Sequence, residues 1–377
     1  MLRLAWWWCW CLVGVASRAP PRCPATAEYS PAGLAAAPPR SPRCRQPDGG
    51  TVFTMVPRGQ LGNHLHSYAT LRALSLRYPG REFLLATETW HHITQHFLPD
   101  KLLLPGLHQL CLCRSHRGLP ARPWHWRHHD SPPGADMFED ISGLEEAGVP
   151  GGTVWLLWPD RGFLYRPDQS GLAWLEQGQA ALTRSLQFRP QLLEWGQQQR
   201  ARGVARWLRR NRKKVEREKL GVGNLTVVGI HHRRGDHLAL ERVYRIPHPS
   251  MAYLGPSMDH FRTRHNFTVF LYVSDDPEWG ARHLGRDRDT VLSSSPGPPS
   301  LSTGRDLALM SLCQHTVLTR GSFSFWCGQL AGGSYIRPCM VQQFATQEEQ
   351  QRREGRAERW PRNPLHTRWQ TSLWREC

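Results

Sequence analysis

The sequence predicts an α/β protein with two lobes, each built on a parallel sheet. Its 377 residues exceed the length of one typical domain. Short apolar segments alternate with segments of helical periodicity, first after Thr51 and again after residue 224. Because strands that alternate with helices usually pair in parallel, this alternation predicts sheets with helices on both faces.

The first alternation predicts a strand, a turn, a helix and a second strand. TVFTMVP is typical of a buried strand, RGQLGN of a tight glycine turn, and HLHSYATLRALSLRY of a helix that Pro79 ends; REFLLATE is the second strand. Residues 105–160 have little periodicity, which indicates loops. Within them, PWHWRHHD at 123–130 predicts an aromatic, basic surface loop. A metal site is the alternative, but these histidines lack helical ligand spacing.

The second alternation follows a basic connector at residues 192–219. RRNRKK within it predicts a solvated helix face, with a nucleic-acid patch as the alternative. LTVVGI, TVFLYVSD, DTVLSS, HTVLTRGS and SYIRPCM are then typical of strands, and Asp276 is expected to cap the helix after the second of these. RDLALMSLC, after a Pro/Ser/Gly loop at 293–304, and FSFWCGQLAGG predict helices.

The two ends of the chain lack this alternation. The start contains an apolar run flanked by arginines, which predicts a signal peptide core or a short signal anchor. Since a helix needs about 20 apolar residues to cross a bilayer, the run settles neither retention nor orientation. A Pro/Ala/Arg-rich stem follows, and the last residues predict a polar tail. The predicted divisions are the apolar start at residues 1–16, the stem at 17–50, the first lobe at 51–205, the second lobe at 206–345 and the tail at 346–377.

Sequons and cysteines indicate the compartment. Asn224 and Asn266 each begin an acceptor sequon for N-glycosylation, and with the apolar start they predict entry into the secretory pathway. Ten cysteines are present, and the eight beyond the apolar start are an even number compatible with disulfides. Cys111 and Cys113 have no second pair at zinc-finger spacing, so a disulfide or a buried thiol is favoured over zinc.

Charge and one arginine-rich segment predict an anionic ligand. The net charge is +17, which fits a nucleic acid, a nucleotide or an acidic surface. GIHHRRGDH, residues 229–237, follows a predicted strand, where parallel α/β sheets bind their ligands. The guanidinium groups of Arg233 and Arg234 match phosphate oxygens and predict pyrophosphate binding. The alternative is an ion pair with a carboxylate such as Asp236.

RGQLGN is the second candidate for ligand binding. Its strand-to-helix turn presents backbone N–H groups to whatever lies above the sheet. Gly59 and Gly62 fit neither a GxGxxG fingerprint nor a Walker loop, so glycines that only form the turn are the alternative. Asn63 is either a ligand contact or a helix cap.

Together, four ordered blocks between Thr51 and Cys339 resemble the galactoside α1,2-fucosyltransferases, glycosyltransferase family 11. They are RGQLGNHLHSYATL, GIHHRRGD, FLYVSDDPEW and DLALMSLCQHTVLTRGSFSFWCGQLAGG. The resemblance implies a GT-B-type enzyme with two Rossmann-like lobes. Such an enzyme transfers L-fucose from GDP-fucose to O2 of a terminal β-galactoside on a glycan, inverts the anomeric centre and needs no metal or other cofactor.

The resemblance also implies residue roles. The family's arginine motif falls on His231, Arg233, Arg234, Gly235 and Asp236, and in related fucosyltransferases it binds the donor pyrophosphate. Arg234 is expected to stabilise charge on the departing phosphate, Arg233 to position the donor and His231 to orient the loop. Asp236 is either a catalytic group on the acceptor side or a salt-bridge partner, and the identity of a base stays open.

Further donor contacts are implied in both lobes. They are Gly62, Asn63, Asp306, Ser322 and Phe323. Asn63 and His64 are expected beside the reacting sugar. Phe323 and Trp326 either line the donor pocket or belong to the core. Asp306 and His315 either hold guanine or fucose, or cap their elements.

Some departures from the family pattern bear on the acceptor contacts, and another bears on the cellular location. His232 and His237 stand where the family has an apolar and an aromatic residue, and we expect them to alter acceptor contacts. The resemblance implies a single-pass type II Golgi membrane protein with a lumenal catalytic domain, although the apolar start is short for such an anchor and a secreted form is the alternative. No nucleic-acid partner is expected. The alternative functions are transfer to another linkage (α1,6 or protein O-fucose) and an inactive glycan-binding homologue.

Overall fold

The computed structural model describes residues 51–57, 59–107, 125–130, 153–158, 180–238 and 248–338. Within these ranges the chain forms two parallel sheets, one of four strands and one of five. The first uses strands from residues 51–158 and the second strands from residues 226–336. The predicted α/β class with parallel sheets is therefore confirmed. The predicted apolar start, stem and tail lie outside the described residues.

The first sheet has the order β2-β1-β4-β3, with every pairing parallel. Its elements are β1 (Thr51–Met55), α1 (Leu61–Arg77), β2 (Glu82–Phe83), α2 (Thr87–Thr94), β3 (His125–Asp130) and β4 (Thr153–Trp158), with a 3-10 turn at Pro99–Lys101. The segment 105–160, which was expected to be rich in loops, contains the two strands β3 and β4 among its described residues. The surface loop predicted at 123–130 is in large part the edge strand β3.

The connector forms two helices, as predicted: α3 (Pro190–Arg210) and α4 (Arg212–Glu218). The inner face of α3 packs on the second sheet and its helices, because a Cβ added to Gly203 would meet Leu271 at 2.5 Å and one added to Gly196 would meet Ala308 at 3.1 Å. The predicted division at residue 205 falls inside this helix. A short 3-10 turn, Val222–Asn224, then leads into the second sheet.

The second sheet has the order β7-β6-β5-β8-β9, again all parallel. Its strands are β5 (Thr226–His232), β6 (Thr268–Ser274), β7 (Thr290–Leu292), β8 (His315–Leu318) and β9 (Tyr335–Ile336). Its helices are α5 (Met251–Arg264), α6 (Pro277–Leu284), α7 (Pro299–Ser311) and α8 (Ser322–Ala331). The predicted loop at 293–304 is shorter than expected, because α7 begins with proline at its first position.

One apolar cluster extends from the first sheet into the second. It includes Phe53 and Tyr68 of the first lobe and Leu271 and Trp326 of the second. A separate cluster around Phe270 covers the other face of the second sheet. Each fully buried side chain such as Phe270 stabilises the fold by about 1.5–3 kcal/mol relative to exposure. The shared cluster brings α1 against α8, and the site lies at that contact.

Two further sequence predictions bear on the compartment. Cys313 and Cys327 are buried free thiols; the six other cysteines beyond the apolar start lie outside the described ranges. Across the described part of the chain, no helix combines the length and apolar character that a membrane crossing requires.

Candidate functional site

The candidate site lies at the carboxyl edge of the second sheet. Parallel strands end at a common edge, and the residues that follow three neighbouring strands meet there. β5 leads into residues 233–236, β6 into Asp275 and Asp276, and β8 into Thr319 and Ser322. The predicted pyrophosphate loop is thus where a doubly wound sheet binds its ligand.

Arg234 is held on one side and open on the other. Its Nε donates to Asp276 Oδ2 at 3.0 Å, and its guanidinium carbon lies 4.9 Å from the centre of the Trp279 ring. Its backbone N–H donates to Asp275 Oδ1 at 2.7 Å. Among the described residues, no acceptor contacts its two terminal nitrogens. These are the donors that a bidentate contact with phosphate oxygens uses.

Arg233 is instead paired with Asp236. Its Nε and one terminal nitrogen donate to the two carboxylate oxygens at 2.9 and 2.8 Å, and its backbone N–H donates to Thr319 Oγ1 at 3.0 Å. The hydrogen bond from Arg233 lowers the pKa of Asp236, although partial burial acts in the opposite direction. A carboxylate with a lowered pKa is a weak proton acceptor. This geometry favours the salt-bridge alternative for Asp236.

Gly235 allows the loop to approach β6. A Cβ on Gly235 would lie 2.7 Å from Asp275 Oδ2, which is closer than any real Cβ contact. A side chain at residue 235 would therefore displace the Asp275 carboxylate, which accepts the hydrogen bond from the Arg234 backbone. Gly235 thus has a structural role in the loop. Its predicted contact with the donor stays a prediction.

His231 lies buried beneath the arginine loop. Its Nδ1 is 2.7 Å from Ser324 Oγ, and Ser324 directs its own proton to the Arg320 carbonyl oxygen. Because that hydroxyl has one proton, it accepts from His231 Nδ1–H. Burial is the main reason that the pKa of His231 falls to about 3. A neutral, anchored imidazole fits the predicted role of orienting the loop.

The glycine turn of the first lobe docks against the start of α8. Ser322 Oγ donates to Asn63 Oδ1 at 2.5 Å. A Cβ on Gly62 would lie 2.4 Å from the backbone nitrogen of Phe323, so only glycine permits this approach. Farther along α1, the Trp326 indole N–H donates to His66 Nδ1 at 3.1 Å. The structure thus brings residues 59–63 of the predicted glycine turn together with residues 322–323, two segments that the sequence analysis treated separately.

Comparisons with known proteins agree with this arrangement. The sequence profile described as "Glycosyl transferase family 11" matches residues 204–360. Galactoside 2-alpha-L-fucosyltransferase SEC1 of Bos taurus is 28% identical over 292 residues, which cover 77% of this chain and 67% of that protein. Galactoside alpha-(1,2)-fucosyltransferase 1 of Leontocebus fuscicollis is 38% identical over 112 residues, 29% of this chain and 30% of that protein. Over residues 204–360 the chain is therefore similar to glycosyl transferase family 11.

The matches differ in how much of each relative they cover. The chain matches less than a third of the length of the Leontocebus protein. Among solved structures, fucosyltransferase NodZ from Bradyrhizobium has a TM-score of 0.39 at 14% identity, covering 75% of this chain and 93% of that one.

Several of the predicted site residues lie elsewhere than expected. Phe323 and Trp326 are 8% and 3% exposed and belong to the core, with the Phe323 ring 4.9 Å from that of His231. His315 begins β8, at the opposite edge of the sheet, and stacks on His265. Burial favours the core alternative for the two aromatics, and the position of His315 at the opposite edge favours a structural role; the donor contact of Phe323 stays a prediction.

Two histidines predicted near the acceptor are buried. His64 is 0% exposed and its Nδ1 lies 3.1 Å from Thr89 Oγ1 of α2, so it points away from the lobe contact. His232 is also 0% exposed, with Nε2 3.0 Å from the Pro249 carbonyl oxygen and Nδ1 2.8 Å from the Tyr272 hydroxyl. The expectation that these residues contact the acceptor is wrong, because both are enclosed by their own lobes.

Asp306 lies beyond β7, at the same edge as the arginines. It belongs to α7, and its Oδ1 accepts from the Ser295 backbone N–H at 2.8 Å. Burial raises the pKa of Asp306 to about 7, although that hydrogen bond opposes the rise. Asp306 therefore holds the segment after β7. Its predicted contact with the donor stays a prediction.

The two sequon asparagines lie at the opposite edge. Asn224 ends the 3-10 turn before β5, and Asn266 precedes β6; both are exposed. Glycans there would leave the arginine edge uncovered. Their glycosylation stays a prediction.

Sequence reasoning missed the residues that hold the arginines. Asp275 and Trp279 were not singled out, and Asp276 was identified only as a helix cap, a role the structure confirms because its Oδ1 accepts from the Trp279 backbone N–H at 3.0 Å. The sequence feature that could have identified these three residues is their position after β6, the strand beside β5. Thr319 follows β8 and had the same signal.

Proposed function

We propose that the chain is a galactoside 2-α-L-fucosyltransferase. It transfers L-fucose from GDP-fucose to O2 of a terminal β-galactoside on a glycan, with inversion and without a metal at the reacting centre. The match to the family 11 profile and the names of the two curated relatives support this function. The observation that carries it is Arg234, which lies at the carboxyl edge of the sheet and whose two terminal nitrogens contact no acceptor among the described residues.

Arg234 would bind the donor diphosphate and stabilise the charge that grows on it. In an inverting displacement the acceptor hydroxyl approaches C1 of fucose from the face opposite the nucleotide, while negative charge collects on the departing phosphate. A fixed guanidinium beside that oxygen stabilises the charge without reorganising. Asp276 and Trp279 hold Arg234 in place before the donor binds. This fixed geometry is the protein's main contribution to the reaction.

The first lobe would bind the acceptor in a GT-B-type arrangement. Its glycine turn reaches the second lobe at Ser322, so a sugar bound between the lobes would lie beside Asn63. Asn63 cannot accept a proton as a base, and Asp236 is engaged by Arg233. A transition state with oxocarbenium character needs little nucleophilic push, and this suits a site with a weak base.

We further propose that the enzyme is a single-pass type II protein of the Golgi membrane with a lumenal catalytic domain. The apolar start, the stem and the two exposed sequons support this location. Cleavage of the start would instead give a secreted form. Detection of glycans on Asn224 and Asn266 in a eukaryotic host tests entry into the lumen.

The test of function is transfer by the full chain purified from eukaryotic cells. GDP-fucose is supplied with lactose or N-acetyllactosamine and EDTA, and the products are analysed for linkage. We expect fucose on galactose O2, a loss of at least about 100-fold in Arg234→Ala, and no change in Arg202→Ala, an exposed arginine on α3. Fucose on another position, or on a protein hydroxyl, would establish the linkage alternative. Donor and acceptor binding without turnover would establish an inactive homologue.

A further inference from the structure

A cluster of candidate metal ligands lies in the first lobe, apart from the arginine loop. His64 belongs to α1, whereas Glu88 and His92 lie one turn apart on α2. One ligand atom from each residue lies within 4.8 Å of the other two. Two imidazoles and one carboxylate are a ligand set for Zn²⁺, with water as the fourth ligand.

His64 has the surroundings of a metal-binding histidine. Its side chain is 0% exposed, and its Nε2 has no hydrogen-bond partner within the described ranges. Its other nitrogen, Nδ1, lies 3.1 Å from Thr89 Oγ1. Metal-bound histidines usually donate their second N–H to such a partner, which leaves the remaining lone pair for the ion. A buried nitrogen without a partner is the main reason to expect a ligand here.

The other two ligands can move towards His64. The rings of His64 and His92 are stacked, with centroids 4.2 Å apart and planes 13° apart, so their lone pairs do not converge until His92 turns. His92 Nε2 lies 4.0 Å from Glu88 Oε1, and the two side chains are 36% and 58% exposed. Tetrahedral bonds of about 2.0 Å separate ligand atoms by about 3.3 Å. Rotation of the two partly exposed side chains can shorten the distances between the ligand atoms to this value.

We propose that His64, Glu88 and His92 bind one Zn²⁺ ion that joins α1 to α2. The ion lies next to the turn that presents Gly62 and Asn63 to the second lobe, and it stabilises that turn. It takes no part in fucose transfer, because His64 faces α2. The proposal does not rest on the proposed function.

Metal binding is tested directly on the full chain, produced without a histidine tag and stripped with a chelator. Calorimetry with Zn²⁺ measures stoichiometry and affinity, and Co²⁺ gives visible absorption of the strength typical of a tetrahedral site. We expect one high-affinity equivalent in the wild type and its loss in His92→Ala and in Glu88→Gln. His91→Ala, an exposed neighbour on the same helix, keeps it.

A conservative variant separates ligation from folding. Thr89→Val removes the partner of His64 Nδ1 and is expected to weaken Zn²⁺ binding about 10–100-fold, while circular dichroism of the metal-free variants stays that of the wild type. Equal binding by wild type and His92→Ala would place the ion at other histidines and overturn the proposal, as would no binding at all. Transfer assays on the same preparations report on the fucosyltransferase separately, since Zn²⁺ binding is measured without donor or acceptor.

Discussion

The Ser322 hydroxyl of the second lobe donates a hydrogen bond of 2.5 Å to Asn63 Oδ1 of the first lobe, across 259 residues of sequence. Ser322 is the first residue of α8, and Asn63 lies in the first turn of α1. Because both helices begin at the carboxyl edge of their sheets, this contact fixes the first lobe relative to the arginine loop. The donor and acceptor sides of the proposed site are joined here.

We predict that Ser322→Ala weakens transfer without unfolding the protein. The change leaves Asn63 Oδ1 without its donor and removes one hydrogen bond, which contributes about 0.5–1.5 kcal/mol net. We expect kcat/KM to fall about 3–10-fold, as measured with varied acceptor, and the melting temperature to change little. Ser311→Ala is the control, because the Ser311 hydroxyl donates to the Ala308 carbonyl oxygen of its own helix and not across the lobe contact. An equal loss in both variants would contradict a role for the lobe contact.

We predict that Gly62→Ala separates the lobes. The added Cβ would meet the Phe323 backbone nitrogen at 2.4 Å, and a backbone atom cannot turn aside as a side chain can. Overpacking of this kind costs about 1–3 kcal/mol, so we expect a lower urea midpoint together with a loss of transfer. Gly80→Ala is the matched control, since its Cβ would meet no atom of the described residues within 4 Å. Wild-type stability in Gly62→Ala would show that the two segments are not in firm contact.

The arginine loop could be predicted from sequence because it depends on local features. A buried strand followed by paired arginines places them at the carboxyl edge whatever the rest of the chain does. The edge strand β3 could not be predicted in this way, since its sequence HWRHHD has no alternation and its pairing with β4 is long-range. The burial of Phe323 and His64 likewise depends on which helix covers them, and the sequence near each residue does not contain that information.

We predict that acid destabilises the protein through its buried histidines. Burial lowers the pKa of His64 and His66 to about 4 and that of His231 and His232 to about 3. Below an unfolded value of about 6.5 the unfolded chain binds these protons and the folded chain does not, so stability falls as pH falls from about 6.5 towards 4. Urea unfolding midpoints between pH 7.5 and 5 measure the slope.

A substitution isolates one contribution to this slope. His232→Phe loses its bonds to Tyr272 and Pro249, so we expect lower stability at pH 7.5 but a shallower dependence on pH. His91→Phe, at an exposed position, should keep the wild-type slope. An unchanged slope in His232→Phe would mean that other groups cause the acid sensitivity.

The two arginines of the loop are predicted to differ when each is replaced by lysine. Arg233 already uses its Nε and one terminal nitrogen on Asp236, whereas Arg234 keeps both terminal nitrogens for a ligand. Lysine retains the charge but loses the planar fork and the stacking on Trp279. We therefore expect Arg234→Lys to lower kcat/KM for GDP-fucose about 100-fold, and Arg233→Lys to lower it less. Initial rates at varied GDP-fucose and saturating acceptor measure both, with Arg202→Lys as the exposed control. A larger loss in Arg233→Lys would reverse the roles, because it would show that the Asp236 ion pair opens to let Arg233 bind the diphosphate.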